Sequence, residues 1–224
     1  MVDVNAQIDA VDRAVRTTEV DGEPTREQTL TQRYPSPIDD VWDAVTTAGR
    51  IARWFAPVEG DLRLGGRYQV VGNAGGTVQE CSPPRNGSAG YRVTWEYGGG
   101  VTWLEIGLTR IDDESTVVQL THIAKIGDVP PGFWEQYGPG ATGVGWDMGL
   151  LGLALHLTGG ERIAPEDAEA WQVGEEGRRF SRAAADSWAA AQIADGGDPD
   201  AAARAATATY FFYTGQSAEG ASEA

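Results

Sequence analysis

Gly143-Val-Gly-Trp-Asp147 runs directly into Met148-Gly-Leu-Leu-Gly-Leu-Ala-Leu-His-Leu157. Val144, Met148, Leu151 and Leu155 recur at i, i+4, i+7 and i+11, one stripe of a 3.6-residue period. Leu150, Leu153 and Leu157 widen that stripe, so the segment predicts a helix with most of its surface buried. Strand-like segments precede it. A long apolar helix behind a set of strands predicts a sheet folded around a helix, with room for an apolar pocket between them.

Upstream, from Val58 to Lys125, the signals are strands and turns. Tyr91, Val93, Trp95 and Tyr97 alternate with Arg92, Thr94 and Glu96, and Leu104, Ile106 and Leu108 alternate with Glu105 and Gly107. Val118, Leu120 and His122 share one parity after the turn at Asp112-Asp-Glu114. This is a meander with one buried and one wet face. Asp128 to Gly140 reads as a loop carrying Phe133, Trp134 and Tyr137. Ser36-Pro-Ile-Asp39 predicts a helix start, with Ser36 as cap and Pro37 at the first helical position. A second short helix spans about Arg50 to Phe55 and ends before Pro57. Thr25 to Tyr34 reads as the first strand. Before it, Val4, Ile8, Val11 and Val15 form a narrow stripe that predicts a short amphipathic helix, or a segment that orders only on docking, broken by Asp21-Gly-Glu-Pro24.

Past Gly160 the composition turns to alanine-rich helix. Pro165 opens one helix; Phe180, Ala184, Trp188 and Ala191 stripe a second; Asp198-Pro199 starts a third, which Gly215 ends. Tyr210-Phe-Phe-Tyr213 is aromatic all round its helix and must pack on something: the preceding domain, a second copy or a pocket beneath it.

The chain has 224 residues and a formal net charge of −16. Such an acidic surface repels phosphate backbones and anionic membranes, so neither nucleic acid nor membrane is expected as a partner. The single cysteine, Cys81, excludes an internal disulfide and fits a cytoplasmic location. The N-terminus lacks the basic and apolar regions of a secretory leader, and no apolar run approaches the roughly 20 residues that span a bilayer.

Ser36-Pro-Ile-Asp-Asp-Val-Trp-Asp-Ala-Val45, Ile51-Ala-Arg-Trp-Phe55, Gly60-Asp-Leu-Arg-Leu-Gly-Gly-Arg67, Cys81-Ser-Pro-Pro84, Val93-Thr-Trp95, Val118-Gln-Leu-Thr-His122 and Gly143-Val-Gly-Trp-Asp147 occur in this order. Together they resemble the activator-of-Hsp90-ATPase-like family of the START-like (SRPBCC) superfamily. The resemblance implies an α+β helix-grip fold: a curved antiparallel sheet around a long C-terminal helix, with two short helices between the first two strands. The organisation expected is an N-terminal segment over 1–24, helical; a START-like domain over 25–160; a helical extension over 161–215; and a disordered tail over 216–224. The family's eukaryotic co-chaperones carry a further N-terminal domain that engages Hsp90, for which the residues ahead of the first strand leave no room.

His122 has the parity of the buried face. It is the one catalytic candidate, as an acid/base, or otherwise a polar anchor for a ligand or a hydrogen-bonded core residue. Trp146 and Asp147 are placed to meet it. Trp54, Tyr68, Trp95, Phe133, Trp134, Trp146 and Leu150 join His122 as the expected lining of a hydrophobic cavity between sheet and long helix. Glu80, if inward, needs a partner such as Arg63 or Arg67. His156, near the helix end, has no second ligand at a zinc spacing, and no metal or cofactor is expected. Gly138-Pro-Gly-Ala-Thr-Gly143 matches G-x-G-x-x-G literally but lacks the flanking parallel strands that would bind a dinucleotide. Cys81 reads as a buried or strand-end thiol rather than a nucleophile. The leading function is noncatalytic binding of a small hydrophobic molecule. Its rivals are a co-chaperone-like regulator of an Hsp90-type ATPase and an aromatase/cyclase-like enzyme using His122. A protein partner or homodimer through the C-terminal helices is a further expectation.

Overall fold

The alternating segments form one eight-stranded antiparallel sheet in the computed structural model, which describes residues 3–159, 163 and 165–216. The strands are β1 (Val11–Val20), β2 (Glu23–Tyr34), β3 (Val58–Gly60), β4 (Arg67–Val70), β5 (Gly75–Arg85), β6 (Ser88–Tyr97), β7 (Gly100–Asp112) and β8 (Ser115–Lys125). Their order across the sheet is β1-β2-β8-β7-β6-β5-β4-β3. From β3 to β8 the chain is a simple meander, and β2 closes it by pairing with β8.

The N-terminal segment departs from the expected helix. Helix α1 (Val4–Asp9) stops after six residues, and the chain continues as β1, the edge strand beside β2. Val11 and Val15 are buried from that strand. A spacing of four is even, so it places two residues on one side of a strand as readily as on one face of a helix. Asp21-Gly22 is the turn between the two strands: both residues have positive φ, 55° and 80°, as a tight two-residue hairpin requires.

Helices α2 (Ile38–Thr46) and α3 (Ala48–Trp54) lie between β2 and β3. The start of α2 differs in detail from the expectation. Pro37 is its cap residue and Ser36 does not cap a backbone amide; its hydroxyl donates to Asp40 Oδ2 at 2.6 Å. The expected loop over Asp128–Gly140 contains a short helix, α4 (Phe133–Tyr137). The long helix α5 (Gly140–Thr158) follows, with Val144, Leu150, Leu151 and Leu153 buried. Its start is tied to the sheet: Gln28 of β2 donates to the Pro139 carbonyl at 2.5 Å and accepts from Thr142 at 2.6 Å.

Beyond α5 come α6 (Pro165–Val173), α7 (Glu175–Ala194) and α8 (Pro199–Thr214). The predicted stripe is the buried face of α7: Phe180, Ala184 and Trp188 are wholly inaccessible. Asp198 caps α8 by accepting from the Ala201 amide at 2.8 Å, and Gly215 ends it at φ 65°. These helices pack on the rest of the molecule. Thr209 donates to the Tyr137 carbonyl at 2.9 Å and Tyr213 to the Ala141 carbonyl at 2.8 Å. Past Gln216 the expected tail lies outside the described residues.

One buried carboxylate joins both ends of the chain to the long helix. Asp147 of α5 accepts from Arg13 Nε at 3.1 Å and Nη2 at 2.7 Å, and from Trp188 Nε1 of α7 at 2.8 Å. Arg13 Nη1 is held by the Val11 carbonyl at 2.8 Å, so the guanidinium is satisfied as well as paired. Both side chains are nearly inaccessible, 5% for Arg13 and 1% for Asp147. A buried charge pair is tolerable only when its remaining hydrogen-bonding positions are filled, as they are here.

Candidate ligand-binding site

The sheet is hollow under α2 and α3 rather than under α5. An apolar pocket of about 120 Å³ lies between these two helices and strands β4 to β6. Val45 and Thr46 of α2 and Ile51 of α3 roof it, Phe55 closes one side, and Tyr68, Cys81, Tyr91 and Trp95 line the sheet side.

A β-bulge sets which side chains reach this space. The register of β5 on β6 shifts between Val78↔Val93 and Glu80↔Arg92, leaving Gln79 as the extra residue. Parity inverts past that point. Val78 faces the pocket, Glu80 points outward and is exposed, and Cys81 lines the pocket in its place. The carboxylate of Glu80 therefore needs no buried partner. Arg63 pairs with Asp61 and Arg67 with Glu96 instead.

Three polar groups of the sheet side face this apolar environment. Tyr68 donates to the Thr94 carbonyl at 2.7 Å and is satisfied. Cys81 is a free thiol. Tyr91 lies below an edge-on Trp42, and its hydroxyl has no hydrogen-bond partner among the described residues. Burial, with smaller contributions from neighbouring Tyr68 and Cys81, raises its pKa, so the phenol stays neutral and keeps a proton to donate.

On the other side of Phe55 is a second cavity, about 210 Å³, between α3, α5 and α6. Trp54, Met148, Gly149, Trp171 and Gln172 are among its walls, and Arg53 stands at its edge. The Trp54 indole donates to the Ala44 carbonyl at 2.9 Å, which fixes α3 on α2.

Between these spaces and the core of the sheet is a dense aromatic cluster. Trp146 of α5 stacks on Phe55 at 6.4 Å, meets Trp95 edge-on at 5.0 Å, and lies 5.7 Å from the His122 ring. His122 does face inward and does meet Trp146, but Asp147 turns away from it to Arg13. The Thr102 hydroxyl donates to the Trp95 carbonyl at 3.2 Å, so it accepts from His122 Nε2 at 2.9 Å. That network assigns the proton to Nε2 and leaves Nδ1 as a buried acceptor with no partner. Burial holds the His122 pKa down to about 4, so the ring is neutral near pH 7. No carboxylate is within hydrogen-bond distance of it among the described residues.

The expected lining thus divides. Tyr68 and Trp95 line the inner pocket, and Trp54 the outer cavity. Trp146 and His122 stand behind Trp95 in the filled cluster. Leu150 is buried in the core, where its carbonyl accepts from Tyr34 at 3.1 Å. Phe133 and Trp134 are elsewhere: Phe133 packs on Tyr137 at 5.3 Å, and Arg26 covers the Trp134 ring at 3.9 Å. Sequence reading missed Phe55, Ile51 and Tyr91 as pocket residues. The run Ile51-Ala-Arg-Trp-Phe55 marks the first two as a motif, but nothing in it says that its helix roofs a cavity.

The other motifs serve packing. Gly140 and Gly143 of the literal G-x-G-x-x-G bring α5 against the C-terminal helices; a Cβ at Gly143 would lie 2.3 Å from the Trp188 ring. His156 accepts from Arg50 Nε at 3.1 Å, within a cluster that includes Asp40 and Asp43. Among the described residues no group of three or more His, Cys, Asp or Glu side chains is placed to hold a metal. No helix among them is long and apolar enough to cross a membrane.

The architecture recurs in two solved structures of one protein. A crystal structure of CalU16 from Micromonospora echinospora is 31% identical, with a TM-score of 0.64 over 81% of this chain and 98% of that one. Its solution NMR structure is 32% identical, with a TM-score of 0.66 over 83% of this chain and 97% of that one. A crystal structure of an HSP90 activator from Plasmodium falciparum is 20% identical, with a TM-score of 0.38 over 43% of this chain and 71% of that one. No curated protein matches the chain. The sheet, its grip helix and the two roof helices fall within residues 35–155 for the most part, the span matched by the family model of the Activator of Hsp90 ATPase homolog 1-like proteins, and the chain belongs to that family.

Proposed function

We propose that this protein binds a small hydrophobic molecule without turning it over, in the pocket between α2–α3 and strands β4–β6. The observation that carries the reading is the pocket itself: about 120 Å³, apolar on nearly every side, with one phenol, Tyr91, free to donate. An apolar cavity of about 150 Å³ stays dry and takes up benzene. The space here suits a single ring of that size. His122, bonded to Thr102 and packed on Trp146, serves in this reading as a core residue. The lone thiol, Cys81, supports a reducing, cytoplasmic setting.

The test is a titration of the purified protein with toluene and phenol, read by tryptophan fluorescence and thermal shift. A ligand at a hundred times its dissociation constant adds about 2.7 kcal/mol of stability. Phenol is expected to bind more tightly than toluene, and Val93→Phe, which fills the pocket, to abolish both. Recovery of the phenol unchanged after prolonged incubation supports binding without catalysis. A flat response in both probes overturns the reading. Regulation of an Hsp90-type ATPase, favoured by family membership, then takes its place and is tested by adding the protein to such an ATPase. Association through the C-terminal helices is supported by the exposed Phe212 ring, 60% accessible, and is checked by the mass in solution.

A further inference from the structure

Phe55 lines both the inner pocket and the outer cavity, the one residue to do so in these two walls. The backbone beside it is fixed. The Trp54 carbonyl presses so closely on α5 that a Cβ at Gly152 would lie 2.2 Å from it. The Phe55 ring is not held in that way. It caps the end of α3 outside the helix, is half-buried, and faces Gly149, where even an added Cβ would stay 3.8 Å from the ring. Its neighbours include the rings of Trp54, Trp95 and Trp146, with centroids at 5.7 to 6.4 Å, so moving it is a repacking of side chains rather than of the α3 backbone.

The two spaces differ in character. The inner pocket is almost wholly apolar and bounded by Phe55, Tyr91 and Trp95. The outer cavity carries more polar surface, with Gln172 on one wall and Arg53 at its edge. Arg53 is exposed and has no ion-pair partner among the described residues, whereas Arg50 one turn earlier holds Asp40 and Asp43. In a chain of net charge −16, a cation beside a cavity, with no ion-pair partner among the described residues, favours an anionic guest. Neither space alone reaches the roughly 300 Å³ at which ligand pockets begin, but joined they pass it.

We infer that the two cavities are a single ligand site partitioned by the Phe55 ring, and that its ligand is an elongated aromatic acid. One uncharged ring occupies the inner pocket, and the carboxylate-bearing end lies in the outer cavity beside Arg53. The inference rests on the binding function proposed above and adds to it the size, polarity and direction of the ligand. Phe55 is then the residue that sets ligand length.

The experiment compares toluene, biphenyl and biphenyl-4-carboxylate by calorimetry on the full chain. The variants are Phe55→Ala, Arg53→Gln, Ala168→Phe at the outer wall and Val93→Phe at the inner one, each checked for folding by its thermal melt. Biphenyl-4-carboxylate is expected to bind about threefold more tightly than biphenyl, an advantage typical of an exposed charge pair, and to lose it in Arg53→Gln. Phe55→Ala is expected to tighten both long probes relative to toluene. Ala168→Phe is expected to weaken them at least about tenfold relative to toluene, roughly 1.4 kcal/mol. Val93→Phe is expected to block all three. If toluene binds but neither long probe binds, even in Phe55→Ala, the two-chamber site is overturned and the inner pocket stands. If the long probes bind but ignore Ala168→Phe, the outer cavity is not part of the site, and the inference again fails alone. If none of the three binds, both the inference and the binding function fail.

Discussion

The same sheet is packed solid at one place and left hollow at another. Under α5, Trp146 fills the space against Trp95 and His122, and the polar atoms of Asp147, Arg13 and Trp188 satisfy one another. Under α2 and α3, the facing side chains are Val45, Thr46 and Ile51, too short to reach Tyr91 and Cys81 across the gap. The grip helix drives an indole into the sheet, whereas beside the Trp42 of α2 that meets Tyr91 edge-on the roof helices offer only β-branched side chains over the gap. A helix-grip fold therefore does not place its cavity by topology. In this chain the cavity lies where the covering helices present the smaller side chains, between α2–α3 and β4–β6.

The contrast can be broken most sharply at the buried ion pair. Arg13→Ala leaves the Asp147 carboxylate buried without its cation, and is expected to cost about 3–5 kcal/mol in urea unfolding. Both ends of the chain should loosen together, seen as faster amide exchange in β1 and α7. A loss under 1 kcal/mol would mean that water enters this region, and the contrast between filled and hollow would fail.

The next effect is a pH dependence carried by His122. Its ring titrates near 6.5 in the unfolded chain and at about 4 when folded. Between those values the unfolded chain binds the proton and the native one does not. Stability from this group is therefore complete above pH 6.5 and falls as the pH drops toward 4, by about 3 kcal/mol in all. His122→Leu is expected to flatten that part of the curve, measured as the difference between the two proteins' urea midpoints at pH 7 and pH 5.

Two glycines of α5 sharpen the comparison further. An alanine in a helix interior is better than glycine by about 1 kcal/mol. Gly149→Ala, with its Cβ 3.8 Å from the Phe55 ring beside the outer cavity, is expected to realise most of that gain. Gly143→Ala drives its Cβ into Trp188 and is expected to cost about 2–3 kcal/mol instead. The smallest effect compares one extra methylene in each region. Val144→Leu in the filled interface should cost about 1–2 kcal/mol, while Val93→Leu on the pocket wall should stay within about 0.5 kcal/mol of neutral. Thermal melts of the four variants give both comparisons.

Much of the fold was legible residue by residue. The strands of the meander follow from strict alternation, α7 from Phe180-x-x-x-Ala184-x-x-x-Trp188, and the start of α8 from Asp198-Pro199. The first strand was not, because Val11 and Val15 satisfy both periods and the pairing of β1 with β2 is long-range information. Of the site, Trp95 of β6 was legible by its parity with Val93. The inward turn of Cys81 was not, since the bulge at Gln79 reverses the side chains from Glu80 to Ser82, up to the next shift of register. Phe133 and Trp134 looked like lining because aromatic residues in a loop before the grip helix have no visible partner in sequence. Their partners, Tyr137 and Arg26, appear only once α4 forms and β2 passes beneath it.

By itself, then, the sequence determined the class of structure: an acidic α+β chain with an antiparallel meander, a long buried helix, a helical extension and the motifs of its family. These rest on local periods, caps and turns, which act over a few residues and can be read in order. The tertiary structure decided where the empty space lies, which polar groups are paired, and that Asp147 ties residues near both ends of the chain to one helix turn. Those depend on distances between residues tens of positions apart, or 134 in the case of Arg13 and Asp147, and on the volumes left when large and small side chains meet. No local pattern encodes either.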